Sequence, residues 1–171
     1  VLKEENTHVL PNGRIAMAHP AAASGLAAQP IALAADYDVP LANVFELSSK
    51  PGARKTIYLD FNGESLSTSN FWVKHYRMPS TVTAYTIDAN PTTFNDEEKR
   101  AIAWIWAQVA EDFAPFDVTV TTKYPGNLTN TLGRSSASDS TYGAHVVITS
   151  DSRPAKVCNG GCSGIAFIGT F

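Results

Sequence analysis

The stretch that decides the fold reads NDEEKRAIAWIWAQVAEDF at residues 95–113 and continues, after a short break, as DVTVTT at residues 117–122. Asn95 is a good N-cap, and Glu98, three residues later, completes the pattern of a capping box. The acidic residues that follow the cap suit the positive end of a helix dipole. We therefore predict a helix of about eighteen residues, or about 27 Å, that ends before Pro115. Its apolar stripe consists of Ile102, Ile105, Trp106, Val109 and Phe113.

Segments on both sides of this helix have the composition of strands. Residues 55–61 contain closely spaced β-branched and aromatic side chains, and the Asn62-Gly63 pair that follows is a strong turn signal. Residues 117–122 alternate, residues 144–149 form an apolar run, and residues 164–171 are predicted to be a last strand. A helix between two strands favours a parallel crossover. The predicted fold class is α/β (α+β), with a mixed, mostly parallel twisted sheet of four to five strands packed on one long helix.

The remaining segments carry weaker local signals. Residues 71–76 and 81–87 are strand candidates that would form a hairpin. Residues 123–142 are polar and are interpreted as a long surface loop, whose length hints at a function. Residues 1–50 are rich in Ala and Pro without sustained periodicity, so they are interpreted as an extended arm or pro-segment tail, with a disordered terminus as the alternative. Residues 51–171 are predicted to be the folded subdomain.

Composition narrows the class of protein. A chain of 171 residues suits one domain, or one domain with an arm. With 44% hydrophobic and 17% charged residues, it is neither wholly disordered nor a coiled coil. The formal net charge of −3 gives no basic excess to hold nucleic acid or an anionic membrane. We find no apolar run of about 18 residues, which a membrane helix needs.

The chain has two cysteines, Cys158 and Cys162, separated by Asn-Gly-Gly. This flexible spacer permits a small disulfide loop, and we predict that Cys158 and Cys162 form one, which indicates a secreted or periplasmic location. Paired free thiols are an alternative, whereas a zinc site would need two further ligands at a spacing that the sequence lacks. A third interpretation makes Cys162 a hydrolase nucleophile with His145 and Asp151 as partners, which requires a free thiol of low pKa.

The remaining candidates for chemistry are histidines and carboxylates. His145 lies inside an apolar strand, and we predict a hydrogen-bonded structural histidine rather than a functional one. The sequence contains no His-Glu-x-x-His motif, so no zinc ligands are assigned. Asp88, Asp112 and Asp117 offer hard oxygen ligands and are calcium candidates. The alternative is that these carboxylates cap helices and form turns.

Several segments resemble a known family. The sequence TIYLDFNG at residues 56–63 resembles the first strand of secreted zinc endopeptidases of the metzincin type, similar to the reprolysin-like enzymes. Residues 102–106 and 109–122 resemble the first helix and second strand of that family, and GIAFIGTF at residues 164–171 resembles its edge strand. The match covers about residues 45–171. Its most specific part, residues 109–122, consists of packing and turn residues rather than catalytic ones.

The resemblance implies a function for a longer protein. In this family a helix with His-Glu-x-x-His, followed by a third histidine, comes after the edge strand. The implied arrangement makes this chain the N-terminal part of the catalytic domain, with residues 1–50 placed like a pro-segment. The zinc ligands and the general-base glutamate would then lie after Phe171, and residues 1–171 alone would hold no catalytic zinc and cut no peptide bond.

The same resemblance implies partners. A peptide or protein substrate would add as a further strand to the edge strand. The expected substrate-binding residues are Gly164, Ile165, Ala166, Phe167, Ile168 and Gly169. An exposed apolar edge also predicts self-association through residues 164–171. The competing interpretation is a non-catalytic secreted binding or adhesion module that keeps a protease-like sheet, and the residues after Phe171 would discriminate between the two.

Overall fold

The computed structural model describes residues 7–9, 15–20, 39–151, 153 and 162–167, which belong to two compact units. One unit contains β1 (Thr7–Val9), β2 (Ile15–Pro20), α1 (Phe71–Tyr76), β5 (Thr81–Val82) and β8 (Cys162–Phe167). The other contains a 3-10 turn (Leu41–Asn43), β3 (Lys55–Asp60), α2 (Asp96–Asp112), β6 (Val118–Thr121), α3 (Leu128–Leu132) and β7 (Tyr142–Val147). β4 (Glu64–Ser65) pairs with β5, and the division between the units falls within β4. Described residues of the predicted arm therefore occur in both units.

The second unit is built on a parallel sheet. β3 is its central strand and lies between β6 and β7, so Ile57 pairs with Val120 on one side and with Ala144 on the other. Parallel strands cannot be joined by a tight turn, and the long connection from β3 to β6 contains β4, α1, β5 and then α2. The prediction of an α/β fold with a mostly parallel sheet is confirmed. Among the described residues this sheet has three strands rather than four to five, and β8 belongs to a different sheet.

The apolar core lies between this sheet and α2. Ile57, Leu59 and Phe61 alternate along β3 and its end, are buried, and pack with Ile102 of α2. Complete burial of a side chain such as Ile102 stabilises the fold by about 1.5–3 kcal/mol. The predicted helical stripe is confirmed, since its other members are partly buried against the same core. Trp106 also donates an indole N–H to the Val120 carbonyl over 2.9 Å, which ties α2 to β6.

The start of α2 is fixed by the predicted capping box. Asn95 Oδ1 accepts from the Glu98 N–H, and Glu98 Oε2 accepts from the Asn95 N–H, each over 2.9 Å. Glu98 is completely buried, and its Oε1 accepts from the Thr86 hydroxyl and the Ile87 N–H over 2.8 Å each. Burial alone would raise the pKa of Glu98, but these hydrogen bonds outweigh it and lower the pKa. The carboxylate therefore joins the helix start to the preceding segment.

The hairpin predicted over residues 71–87 is wrong. Residues 71–76 form α1, because the Asn70 side chain caps the Trp72 N–H over 2.9 Å and the rings of Phe71 and His75, one turn apart, stack at 4.5 Å. Local capping and helical side-chain pairing outweigh the strand preference of the aromatic residues. Only Thr81–Val82 of the strand predicted over residues 81–87 is a strand, and its partner is β4 rather than residues 71–76.

The long polar loop predicted over residues 123–142 contains a helix. Asn127 caps the start of α3 by accepting from the Asn130 N–H over 3.0 Å. Leu132, at the end of α3, is buried. One apolar side chain and one cap are therefore enough to order a helical turn within a polar segment.

The first unit has an antiparallel sheet in the strand order β1-β2-β8. The predicted last strand is observed as β8, and β2, from the predicted arm, pairs with it, for example at Met17 with Ala166 and at Ala18 with Ile165. The interpretation of residues 1–50 as an arm or pro-segment tail stays a prediction. Every helix in the described part of the chain is too short or too polar to cross a lipid bilayer.

Candidate functional site

Strand periodicity places three side chains on one face of the parallel sheet. Because neighbouring residues of a strand point to opposite faces, Tyr58 and Asp60 lie on the face opposite to α2. His145 of β7 is the register partner of Tyr58, so it shares that face and lies diagonally across from Asp60. The sheet thereby brings together a tyrosine, a carboxylate and an imidazole that are far apart in the sequence.

A turn after β3 adds a second carboxylate. Asp60 is only 5% exposed, its Oδ1 accepts from the Asn62 N–H over 2.9 Å, and its Oδ2 lies 2.9 Å from His145 Nε2. Gly63 has a φ of 80°, which lets the chain turn before Glu64. Glu64 Oε2 lies 3.6 Å from His145 Nδ1. The imidazole therefore lies between two carboxylates that face its two ring nitrogens.

Tyr58 supports the imidazole from one side. Its ring stacks on that of His145, with centroids 5.3 Å apart and 18° between the planes. Tyr58 is 2% exposed, and burial, with the negative charge of Asp60 as a second cause, raises its pKa to about 12. The rings of Tyr124 and Tyr58 pack edge to face, with their centroids 6.0 Å apart. The histidine ring is thus held by packing as well as by hydrogen bonding.

An open cavity of about 250 Å³ adjoins the two carboxylates. Tyr124, which is 60% exposed, lies at its wall. Other wall residues are Tyr58, Asp60, Asn62, Gly63, Glu64 and Leu128. A small solute or ion can therefore reach the carboxylates from solvent.

The donor set suits a metal ion. One ligand atom each from Asp60, Glu64 and His145 lies within 4.8 Å of the other two. In the part of the chain that the structure describes, this is the one group of three or more such residues. An imidazole nitrogen with two carboxylate oxygens is a ligand set used by divalent transition ions. It does not supply the three histidines of the metzincin zinc centre, so we derive no catalytic step from it.

The hydrogen bond predicted for His145 is confirmed, and its partner is Asp60. The alternative hydrolase arrangement also needs Asp151 and Cys162. Asp151 accepts hydrogen bonds from the Arg153 side chain, while the Cys162 side chain lies outside the described residues. That arrangement stays a prediction.

The calcium candidates lie apart from this cluster. Asp88 Oδ1 accepts from the Thr86 hydroxyl and the Asn90 N–H over 2.8 Å each, which is a turn-forming role and lowers its pKa. Asp117 pairs with Arg54 over 2.6 Å, and Asp112 is the exposed last residue of α2. Within residues 39–151, no group of three ligand-type side chains includes them. Calcium binding by these residues stays a prediction.

The expected substrate strand is described in part. Residues 164–167 belong to β8 and pair with β2, whereas Ile168 and Gly169 lie outside the described residues. The expected disulfide also lies outside them, since Cys158 and the side chain of Cys162 are not described. Substrate contact along this strand and self-association through it stay predictions.

No motif in the sequence groups Asp60, Glu64 and His145. The signal available was a titratable residue with apolar neighbours in each of two strands, Asp60 between Leu59 and Phe61, and His145 between Ala144 and Val146. Adjacent parallel strands bring such residues together, but only the register decides which ones meet.

No protein-family model, curated protein or solved structure matches this chain.

Proposed function

We propose that this chain is the N-terminal part of the catalytic domain of a secreted zinc endopeptidase of the metzincin type, which hydrolyses peptide bonds. The observation that carries the proposal is the β3–α2–β6 unit. Residues 56–63 and 109–122, which most resemble the family, lie in β3 with its following turn and in the end of α2 with β6. They meet as a strand, a helix and a parallel strand, the order in which the family's first elements occur.

In this proposal residues 1–171 are a scaffold without the catalytic metal. The sequence contains no His-Glu-x-x-His, so the zinc ligands and the general base are placed beyond Phe171. Zinc bound there would lower the pKa of a bound water and polarise the scissile carbonyl. The chain alone is expected to be inactive. The predicted pairing of Cys158 with Cys162 supports a secreted or periplasmic location.

The role proposed for β8 is to align the substrate. An extended peptide gains main-chain hydrogen bonds when it adds to a strand edge. β8 accepts β2 in this way over five register pairs, from Ala16 with Phe167 to Pro20 with Cys162. The pairing supports the proposal because in it the β8 backbone lies beside an extended segment in antiparallel orientation.

The test begins with the coding sequence beyond Phe171. We expect a His-Glu-x-x-His motif followed by a third histidine within the next few dozen codons. The full-length protein should then cleave an unfolded protein substrate in the presence of zinc. Replacing the glutamate of that motif by glutamine should abolish cleavage, and residues 1–171 alone should be inactive.

A stop codon directly after Phe171, or a full-length protein without such a motif, would overturn the peptidase proposal. The protein would then fit the non-catalytic binding or adhesion module. Cleavage by the full-length protein that survives the glutamate substitution would also contradict the proposed mechanism.

A further inference from the structure

We propose that Asp60, Glu64 and His145 form a binding site for a divalent transition-metal ion, Zn²⁺ or Mn²⁺. The three residues come from the end of β3, the start of β4 and the middle of β7, and their ligand atoms lie within 4.8 Å of one another. This inference does not use the proposed peptidase activity.

The spacing of the donors can be compared with that of a coordination sphere. Metal–ligand bonds of about 2.1 Å place neighbouring ligands about 3.0 Å apart in an octahedral site and about 3.4 Å apart in a tetrahedral one. One ring nitrogen of His145 and one oxygen from each carboxylate lie within 4.8 Å of one another, whereas the two shorter distances, 2.9 Å to Asp60 and 3.6 Å to Glu64, start from different ring nitrogens. Binding of one ion through a single ring nitrogen therefore needs side-chain movements of about one to two ångströms.

The donors are held by regular structure. Asp60 and His145 lie on hydrogen-bonded neighbouring strands, and Tyr58 packs against the imidazole ring. Asp60 is additionally oriented by the Asn62 N–H. Ligands that are oriented before the ion arrives lose little conformational entropy on binding, which favours affinity.

The ligand type selects the class of ion. The buried carboxylate of Asp60 already has the Asn62 N–H and His145 as hydrogen-bond partners, and an ion would add a positive charge beside it. A divalent ion would neutralise both carboxylates at once. Ca²⁺ and Mg²⁺ prefer ligand sets made of oxygen atoms, whereas an imidazole nitrogen favours transition ions. The adjoining cavity leaves room for waters at the remaining coordination positions.

The location of the ion can be tested with Mn²⁺ on the chain of 171 residues, first freed of metal with a chelator. We expect stoichiometric Mn²⁺ to broaden the amide NMR signals around Asp60, Glu64 and His145 before others, and excess Zn²⁺ to reverse the broadening. Broadening centred elsewhere, or no saturable effect at millimolar Mn²⁺, would overturn the proposal.

Matched variants test the ligands. Glu64→Gln and His145→Gln should each weaken Mn²⁺ and Zn²⁺ binding at least about tenfold in calorimetric titrations. His75→Gln, which removes an exposed histidine of α1, should leave this site's affinity unchanged. Equal affinity in all four proteins would contradict the assignment. If His145→Gln fails to fold, the NMR broadening by Mn²⁺ in the unsubstituted chain still tests the location of the site. That measurement does not depend on whether the full-length protein is a peptidase.

Discussion

Tyr58 and His145 are register partners on β3 and β7, and their rings stack with centroids 5.3 Å apart. The phenol of Tyr58 is 2% exposed, and its burial, followed by the negative charge of Asp60, raises its pKa.

The first prediction concerns the response of this pair to alkaline pH. Because the pKa of Tyr58 is raised from 10.0 to about 12, its protonated form is favoured in the folded state. Its contribution to stability is fully present below pH 10 and is lost as the pH rises from 10 to 12, a change of about 2–3 kcal/mol. Denaturant unfolding should therefore show that, between pH 9 and 11.5, the free energy of unfolding falls more steeply for the unsubstituted chain than for Tyr58→Phe. Parallel pH profiles would contradict this assignment.

The second prediction concerns the buried cap of α2. In Glu98→Gln an amide NH₂ replaces one carboxylate oxygen and cannot accept, so the acceptor is lost either for the Asn95 N–H or for the Thr86 hydroxyl and the Ile87 N–H. Since a buried unsatisfied donor costs about 1–3 kcal/mol, we expect a loss of that size in the free energy of unfolding. The matched control is Glu97→Gln, which changes an exposed neighbour and should cost less than about 0.5 kcal/mol. Equal losses in the two variants would refute the role given to Glu98.

A third prediction concerns the close approach of β3 and β7. A Cβ atom at Gly143 would lie 2.2 Å from the Thr56 carbonyl oxygen and 2.8 Å from Leu132 Cδ2. Gly143→Ala should therefore force the strands apart and destabilise the fold by about 1–3 kcal/mol. At Gly164 a Cβ atom would meet nothing within 4 Å, so Gly164→Ala is the control and should leave the melting temperature nearly unchanged. A stable Gly143→Ala protein would indicate a different pairing of the strands.

The fourth prediction concerns acid pH and the segment after α3. Hydrogen bonds from the Ser135 hydroxyl and N–H and from the Thr141 N–H lower the pKa of Asp139 to about 2. Because the folded-state pKa is depressed, the stabilising effect of the carboxylate is present above pH 4 and is lost as the pH falls through about 2. The amide signals of Ser135 and Thr141 should titrate with a midpoint near pH 2. Asp139→Asn should remove that titration, and a midpoint near pH 4 would contradict the prediction.

Local signals in the sequence were sufficient for α2 but not for the candidate site. The capping pair Asn95 and Glu98 and the helical spacing of apolar residues lie within one segment, so a short window of sequence contains the information. α1 was missed because its aromatic residues favour strands and its capping by Asn70 is a single contact.

The pair Asp60 and His145 is separated by 85 residues. Their meeting depends on which strand lies beside β3 and in which register, and neither is encoded in local periodicity. β8 illustrates the same limit. Its strand character is evident from its composition, but its antiparallel partner, β2, lies more than a hundred residues earlier in the chain.

The pairing of β2 with β8 also sets a condition on any peptide that binds to the same edge. β2 is covalently tethered to its partner strand, so it competes as an intramolecular ligand at an effective concentration that dilution does not change. A free peptide of equal intrinsic affinity must exceed that concentration to replace it. Cleavage of the chain between β2 and β3 would make β2 a dissociable ligand, and occupancy of the β8 edge would then depend on protein concentration.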